Sequence, residues 1–200
     1  MKVELLTAIS TLTDMERFAA LAALTCRANT DKEFVPCEVL GRIIKAGHES
    51  ILEHINLTYS IKGISRALLQ EVARHRHISL SVESTRHTLK KNFDAVGADL
   101  PREYSEYLFV LWSKMKDNPN MPNDELKYYL PEFWPTNLIL TSNIRELRHI
   151  LKLRTAPQAL KEFRELARAM DEAVPEAFRY LLRDCVHEEQ PQVQCAPEEV

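Results

Sequence analysis

The chain has 200 residues, 45% of them hydrophobic, which is enough to bury the core of one domain. Its formal net charge of -3 argues against a general nucleic-acid-binding protein, because such proteins usually carry a basic excess. The four glycines form neither GxGxxG nor GxxxxGK[ST], so a bound nucleotide would be held mainly by arginine side chains.

The first half of the chain alternates between strand and helix patterns. In chain order we predict a strand at 3–9, helices at 14–27 and 38–46, a strand at 55–61, a helix at 64–76 and an extended segment at 78–82. Gly47 is expected to follow the end of the second helix, and Gly63 to end the second strand.

The second half is predicted to be mainly helical. We expect a helix at 100–116, a loop at 117–123, a short strand at 138–140, a helix at 144–153 and a helical segment at 158–185. Asn143 is a candidate N-cap, and Pro175 is expected to break the last helical segment. Residues 187–200 carry four Glu and no Lys or Arg, so the domain is predicted at 1–186, followed by a disordered acidic tail.

A basic segment surrounds residues 74–76 (RHR), at the predicted junction between a helix and an extended segment. Between residues 62 and 91, seven Lys or Arg stand against two Glu. Alone, such a segment is more often a solvated turn. Glu71 at helical spacing and the hydroxyls of residues 79, 81, 84 and 85 favour a phosphate pocket instead, since guanidiniums and hydroxyls are its usual donors.

A second basic set lies on the predicted helix at 144–153 and just beyond it. Arg145 and His149 are four residues apart and share a face, whereas Leu147, Ile150 and Leu151 form an apolar stripe. An ordinary amphipathic helix with a charged outer face fits this spacing equally well. The complete set comprises Arg145, Arg148, His149, Lys152 and Arg154.

The sequence gives only weak signals for a metal site or a cysteine nucleophile. Residues 47–54 (GHESILEH) place His and Glu within two turns, but no ligand set has zinc-finger spacing. We therefore expect no protein-bound metal. The four cysteines have no CxxC spacing and no activating context, and with no signal peptide or long apolar run they favour a reducing cytoplasm.

The motif RHR-x7-Ser, with an Arg two residues later, resembles the signature of the flavin-dependent thymidylate synthases. The resemblance extends in the right order through GHESILEH, Leu130-Pro131, Asn143-x-Arg145 and Leu153-Arg154, and covers roughly residues 40 to 170. It implies an α+β fold: a single mixed α/β domain with a central antiparallel sheet and flanking helices.

This resemblance also implies an activity. The expected protein is a cytoplasmic homotetramer with sites shared between subunits, which binds FAD and methylates dUMP to dTMP. 5,10-Methylenetetrahydrofolate would supply the carbon and NADPH would reduce the flavin, with no nucleic-acid or membrane partner. Arg154 resembles the arginine that polarises the uracil; a guanidinium is no base at neutral pH, but it can stabilise charge spread over the ring.

Individual positions carry the expected ligand contacts. The residues that resemble flavin contacts are Asn29, Ser50, Arg74, His75, Arg76, Asn143, Arg145, His149 and Gln158. The residues that resemble the dUMP set are Glu71, Val72, Ala73, Arg74, Val82, Glu83, Ser84, Thr85, Arg86, Lys127 and Arg154. Ser84 lies beside Arg86 rather than beside an evident general base, so we expect it to bind the nucleotide and not to attack it.

Five positions depart from the family pattern and leave the nucleotide geometry open. Ser81-Val82 stands where Asn-Glu is frequent, and His87 replaces the usual Tyr. Lys127 stands where Arg is common, which replaces a planar fork by a point charge, and Gln158 stands where His is frequent.

Two other functions remain open at this point. One is a flavin- and nucleotide-binding relative that only oxidises NADPH, which the Val82 and His87 departures favour. The other is a non-enzymatic RNA-binding protein, which would be colourless and would bind RNA with a steep salt dependence. Formation of dTMP separates the first alternative from the synthase, and a yellow flavin colour argues against the second.

Overall fold

A four-stranded antiparallel sheet lies at the centre of the computed structural model, which describes residues 1–30, 33–99 and 102–188. The strands are β1 (Lys2–Leu5), β2 (Asn56–Ser65), β3 (Ile78–Val82) and β4 (Pro135–Asn143), and their order in the sheet is β1-β2-β4-β3. The expected α+β fold with a central antiparallel sheet is confirmed.

Helices flank this sheet. In the described ranges they are α1 (Ile9–Thr25), α2 (Pro36–Lys45), α3 (Arg66–Val72), α4 (Thr85–Asp99), α5 (Ser105–Asp117), α6 (Asn123–Leu126), α7 (Ile144–Arg154) and α8 (Lys161–Glu172). Shorter 3-10 segments are Glu49–His54, Arg102–Tyr104, Lys127–Tyr129, Glu176–Leu181 and Arg183–Cys185. None of the helices described is long and apolar enough to span a bilayer.

The central strand β4 is three times as long as predicted. It pairs with β2 and β3, so that Leu140 lies between Tyr59 and Leu80. Every second residue of β4 is buried on one face of the sheet, namely Thr136, Leu138, Leu140 and Ser142. Only Leu138 and Leu140 on this face are apolar, so the hydrophobic pattern predicted only the middle of the strand.

Two glycines adopt the left-handed backbone conformation that favours glycine. Gly47 follows α2 with φ of 72°, as predicted for the end of that helix. Gly63 has φ of 73° at a register shift between Lys62 and Ile64, and β2 continues beyond it to Ser65. The prediction that Gly63 ends the strand was therefore wrong, because the glycine forms a bulge within it.

Helix α4 was not predicted, and the helix expected at 100–116 begins later than thought. Residues 100 and 101 lie outside the described ranges, and α5 starts at Ser105. Most residues of α4 are polar, so its helical pattern is weak in the sequence. Two buried residues, Leu89 and Phe93, lie four positions apart on one face of this helix. These two residues form a second core with Leu108, Leu111, Leu126 and Trp134.

The C-terminal segment is less regular than the predicted helix at 158–185. Helix α8 ends at Glu172, and 3-10 turns follow Pro175, which does break the helical segment as predicted. The predicted acidic tail at 187–200 lies outside the described residues from position 189 onward.

Arg148 ties α7 to the C-terminal turns. Only 1% of its residue surface is exposed, and its guanidinium donates to both carboxylate oxygens of Asp184, to Glu49 and to the carbonyl of Leu181. The hydrogen bond from Arg148 lowers the pKa of Asp184. This buried arginine satisfies most of its donors, as a charge in a core must.

We expect Arg148→Met to lower the free energy of unfolding by about 3 kcal/mol, near the low end for breaking a buried ion pair, because both carboxylates left behind are partly exposed. Denaturant titration at fixed protein concentration measures this. The exposed pair of Arg183 and Glu176 provides the control, and Arg183→Met should change stability by less than about 1 kcal/mol. Equal losses in both variants would contradict the assignment.

That ion pair also predicts a pH dependence. The folded-state pKa of Asp184 is lowered, so its stabilising contribution is fully present above the unfolded value of about 3.9 and is lost as the pH falls through the folded value. The stability difference between wild type and Arg148→Met should therefore shrink on acidification below about pH 4.

Candidate functional site

The basic RHR motif occupies the turn between α3 and β3. Helix α3 starts after Ser65, whose hydroxyl oxygen accepts from the amide of Leu68 at 3.0 Å, and ends at Val72. The amide of His75 then donates to the carbonyl of Val72 at 3.1 Å, which closes the turn before Ile78 begins β3. The predicted junction between helix and extended chain is therefore confirmed.

Helix α7 brings two members of the second basic set, His149 and Arg154, to the same turn. Asn143 caps α7 through its side-chain oxygen, which accepts from the amide of Glu146 at 2.8 Å, as predicted. Leu147, Ile150 and Leu151 are buried in the core, and Arg148 is buried against Asp184, whereas His149 and Arg154 reach the turn after α3. The apolar stripe predicted for this helix is confirmed.

A pocket of about 530 Å³ lies where α3 and α7 meet, and we call it the Arg154 pocket. Its lining joins residues from both predicted ligand sets. The lining residues are Glu71, Arg74, His75, Arg76, His77, Glu146, His149, Leu153 and Arg154.

A chain of hydrogen bonds runs through this pocket. The Nδ1 atom of His75 lies 3.0 Å from a carboxylate oxygen of Glu146. The Nε atom of Arg154 donates to Nε2 of His75 at 3.1 Å, and its Nη1 atom donates to Glu71, also at 3.1 Å. The Arg154 guanidinium also lies over the ring of Phe163, 4.5 Å from its centroid. These contacts fix the position of Arg154.

The geometry determines the protonation of His75. An arginine Nε–H can only donate, so Nε2 of His75 must accept, and the ring proton lies on Nδ1 and is donated to Glu146. Burial lowers the pKa of His75, and the nearby positive charge of Arg154 lowers it further against the opposing effect of Glu146. His75 is therefore a neutral imidazole near neutral pH.

Another pocket, of about 300 Å³, follows β3, and we call it the Arg86 pocket. Its lining residues are Ser84, Thr85, Arg86, His87, Asp124 and Lys127. Arg86 lies 2.8 Å from a carboxylate oxygen of Asp124, and Lys127 lies 3.4 Å from the same carboxylate. Within the described ranges, no residue lines both pockets, and the members of the predicted dUMP set that line a pocket are divided between the two.

Four predicted dUMP contacts, Val72, Ala73, Val82 and Glu83, line neither pocket. The side chain of Val72 is buried in the main core, which leaves only its backbone for a ligand. The Glu83 carboxylate accepts from Asn92 at 3.0 Å and from Asn137, so it joins α4 to the sheet. Ala73 is exposed at the end of α3, and Val82 is 39% exposed at the end of β3.

The predicted flavin contacts are also divided. Arg74, His75, Arg76 and His149 line the Arg154 pocket. Among the described residues, five others line neither pocket, namely Asn29, Ser50, Asn143, Arg145 and Gln158. Arg145 is ion-paired with Glu53, which directs it toward the GHESILEH turn that contains Ser50.

The family model described as "Thymidylate synthase complementing protein" matches residues 7–178. A flavin-dependent thymidylate synthase of Campylobacter jejuni is 38% identical over 180 residues, which cover 82% of this chain and 85% of the relative. The chain belongs to the flavin-dependent thymidylate synthase family.

Further relatives and solved structures agree. The flavin-dependent thymidylate synthase of Wolinella succinogenes is 40% identical over 161 residues, covering 72% of this chain and 78% of the relative. A crystal structure of thymidylate synthase X from Helicobacter pylori with FAD and dUMP matches with a TM-score of 0.79 and 30% identity, covering 94% of this chain and 100% of that chain.

Two acidic residues of these pockets, Glu146 and Asp124, were not predicted from the sequence of this family member. Glu146 stands three residues after the cap Asn143, a spacing typical of a capping box, but its side chain turns to His75 instead. Asp124 lies on the short helix α6, far in sequence from the Arg86 it contacts. Neither pairing has a local sequence signal.

The three groups His75, Glu146 and His149 offer possible metal-ligand atoms within 4.8 Å of one another. Arg154 donates to the same imidazole, so a metal cation here would meet a positive charge that is already in place. The Nδ1 proton of His75 is also engaged with Glu146. The arrangement suits hydrogen bonding better than metal coordination, and the absence of a metal stays a prediction.

A cysteine nucleophile finds no support in the described residues of this family member. Burial raises the pKa of the Cys185 thiol to about 12, which leaves it protonated near neutral pH. Cys26 and Cys37 are exposed, and neither lines the Arg154 pocket or the Arg86 pocket.

Proposed function

We propose that this chain methylates dUMP to dTMP, using bound FAD, 5,10-methylenetetrahydrofolate as carbon donor and NADPH as reductant. The observation that supports this most strongly is the geometry of the Arg154 pocket. There Arg154 is oriented by the neutral imidazole of His75 and the carboxylate of Glu71, beside two exposed arginines. The family membership supports this assignment, as does the Helicobacter pylori structure, which holds FAD and dUMP.

The charge and exposure of the pocket residues fit a flavin nucleotide. Arg76 is exposed at the pocket and has no ion-pair partner among the described residues. The side chain of Arg74 is 75% exposed and lies 3.6 Å from Glu71. Such forked cations can bind phosphate or ring oxygens. FAD, when bound, supplies the redox chemistry, and the side chains supply position and charge.

Arg154 is suited to act on the uracil ring. Its side chain is only 15% exposed and is held by His75, Glu71 and Phe163. A guanidinium fixed in this way can stabilise negative charge on a uracil oxygen as C5 becomes nucleophilic. Because it is positioned before the substrate arrives, little reorganisation is needed during the reaction.

The Arg86 pocket is proposed to hold the dUMP phosphate. Ser84 and Thr85 supply hydroxyl donors beside the cations Arg86 and Lys127. Both cations face the exposed carboxylate of Asp124. A phosphate that carries more negative charge than Asp124 can take over part of these interactions without a large desolvation cost, because the groups are solvent-exposed.

We further propose that a homotetramer joins the two pockets across subunit interfaces. In a single chain the predicted nucleotide contacts divide into an Arg154 group and an Arg86 group with no common lining residue in the described ranges. One dUMP can meet both groups if they come from neighbouring chains. The domain at 1–186 and the cytoplasmic location remain proposals; the free thiols of Cys26, Cys37 and Cys185 are consistent with a reducing compartment.

The purified full chain should be yellow and should form dTMP from dUMP only when the folate and NADPH are both present. Product analysis by chromatography tests this, with omission of each component as the control. NADPH consumption without dTMP at saturating dUMP and folate would overturn the proposal and favour the oxidase-like alternative.

Removal of Arg76 should weaken flavin binding at least about tenfold, because losing a charged donor to a phosphate or ring costs about 1.5 to 3 kcal/mol. The Arg76→Ala protein should therefore lose flavin during dialysis, as measured by absorbance. Arg17→Ala is the matched control, since Arg17 is exposed on α1 and lines neither pocket. Full flavin retention in Arg76→Ala would contradict the contact.

A further inference from the structure

Glu146 is a buried carboxylate with no assigned role in the proposed reaction. It belongs to the first turn of α7, and only 8% of its residue surface is exposed. Asn143 already caps this helix, so the Glu146 carboxylate is not needed as a cap. A buried carboxylate costs free energy unless it is hydrogen-bonded, and Glu146 is bonded to His75 at 3.0 Å.

The contact between Glu146 and His75 constrains a third residue. An ionised carboxylate can only accept, so it selects the tautomer of His75 that carries its proton on Nδ1. That tautomer leaves a lone pair on Nε2, where Arg154 donates at 3.1 Å. In the other tautomer, Nε2–H would oppose the Nε–H of Arg154, and the arginine would have to turn away.

We propose that Glu146 is a positioning residue, which fixes the Nδ1–H tautomer of His75 and thereby holds Arg154 in the orientation used on the uracil. This inference rests on the function proposed above. Glu146 touches neither dUMP nor the reacting atoms and acts through His75 and Arg154.

The charges around His75 agree with this role. Arg154 on α7 is balanced by Glu71 of α3, and Glu71 also lies 3.6 Å from Arg74. The rings of His149 and Phe163 contact the imidazole edge-on, with centroids 5.8 and 5.7 Å away. Phe163 is apolar, and among the described residues no hydrogen bond joins His149 to the imidazole of His75. Glu146 is therefore the acceptor that holds the Nδ1 proton of His75, and the tautomer it favours is the one that Arg154 requires at Nε2.

Glu146→Gln is the decisive substitution, because glutamine has nearly the same shape but can either accept from or donate to Nδ1. The carboxylate that can only accept from Nδ1 is lost, so the tautomer of His75 is held less firmly, and we expect kcat for dTMP formation to fall about tenfold, the order expected for losing one charge-assisted hydrogen bond. Flavin content and KM for dUMP should change much less, because the loss falls on the transition state.

Glu16→Gln is the matched control. The Glu16 carboxylate accepts from the hydroxyl of Tyr180 at 2.6 Å and lines neither pocket, so kcat should stay unchanged. Equal kcat losses in Glu16→Gln and Glu146→Gln would show a general effect of neutralising a carboxylate and would overturn the proposal.

A double-mutant cycle tests whether Glu146 acts through Arg154. In an Arg154→Ala background, Glu146→Gln should cause little further loss of the residual rate, because the residue it positions is gone. If the two losses multiply, Glu146 acts independently of Arg154, and the positioning role is wrong.

Nuclear magnetic resonance gives a readout that does not depend on turnover. In the flavin-bound full chain labelled with 15N-histidine, the His75 signals are assigned by their absence in His75→Gln. We expect the proton on Nδ1 in the wild type and a shift toward Nε2 in Glu146→Gln. A wild-type His75 protonated on Nε2 would overturn the inference. A chain that shows the expected tautomer but forms no dTMP would instead refute the proposed function.

Discussion

Arg154→Ala protein should retain its fold and its flavin but lose about 10² to 10³-fold in kcat for dTMP formation, the range observed when one charge-stabilising donor is removed from an active site. Arg154 is positioned by Glu71 and His75 in the Arg154 pocket, and no described arginine other than Arg74 or Arg76 lines that pocket. Both of these are exposed and lack the same support.

Single-turnover measurement of dTMP with saturating dUMP isolates this loss from effects on binding. Arg154→Lys should be intermediate, since lysine keeps the charge but cannot donate to His75, Glu71 and a uracil oxygen as a planar fork can. Lys152→Ala is the control on the same helix, because Lys152 pairs with Glu49 and does not line the pocket. A wild-type kcat in Arg154→Ala would remove Arg154 from the mechanism.

The parts of the site that depend on local sequence could be predicted. The RHR motif lies at the end of α3 as expected, and Asn143 caps α7 at the predicted position. Helix periodicity and capping are properties of neighbouring residues, so they can be read along the chain. The apolar stripe of α7 likewise follows from residues three and four apart.

Long-range pairings could not be predicted in the same way. His75 and Glu146 are 71 residues apart, and they meet because α3 and α7 both pack on the main core. Arg148 looks like one more charge on a basic helix, yet it is almost completely buried because Asp184 and Glu49 surround it. Such contacts depend on tertiary packing, which propensity and spacing do not contain.

Helix α4 shows a different limitation. Its sequence is rich in polar and charged residues, and among its described side chains Leu89, Phe93 and the partly buried Val96 pack in the second core, where Phe93 stacks near Trp134. A stripe this narrow gives a weak periodic signal even though the helix is formed. The helix that begins at Thr85 and Arg86 and lies beside the Arg86 pocket therefore could not be predicted from the sequence.

A mixture of Arg86→Ala and Arg154→Ala chains should recover activity that neither variant has alone. If each dUMP site takes Arg86 from one chain and Arg154 from another, random mixing in equal amounts gives about a quarter of the sites with both arginines intact. About another quarter carry both lesions, because each interface contributes reciprocally. The separation of the two pockets within one chain motivates this expectation.

The experiment co-expresses two differently tagged variants, isolates the mixed oligomers by tandem affinity purification and measures dTMP formation. Mixing Arg86→Ala with the double variant is the negative control, because no site then contains Arg86. A second mixture combines wild type with the double variant. The fraction of intact sites is then about a quarter if two chains share each site, and about half if each site belongs to one chain. Inactive mixed oligomers in the first experiment, together with half activity in the second, would show that both arginines serve the site of their own subunit. The phosphate and the uracil would then have to be brought together by closure of the Arg86 and Arg154 pockets within one chain.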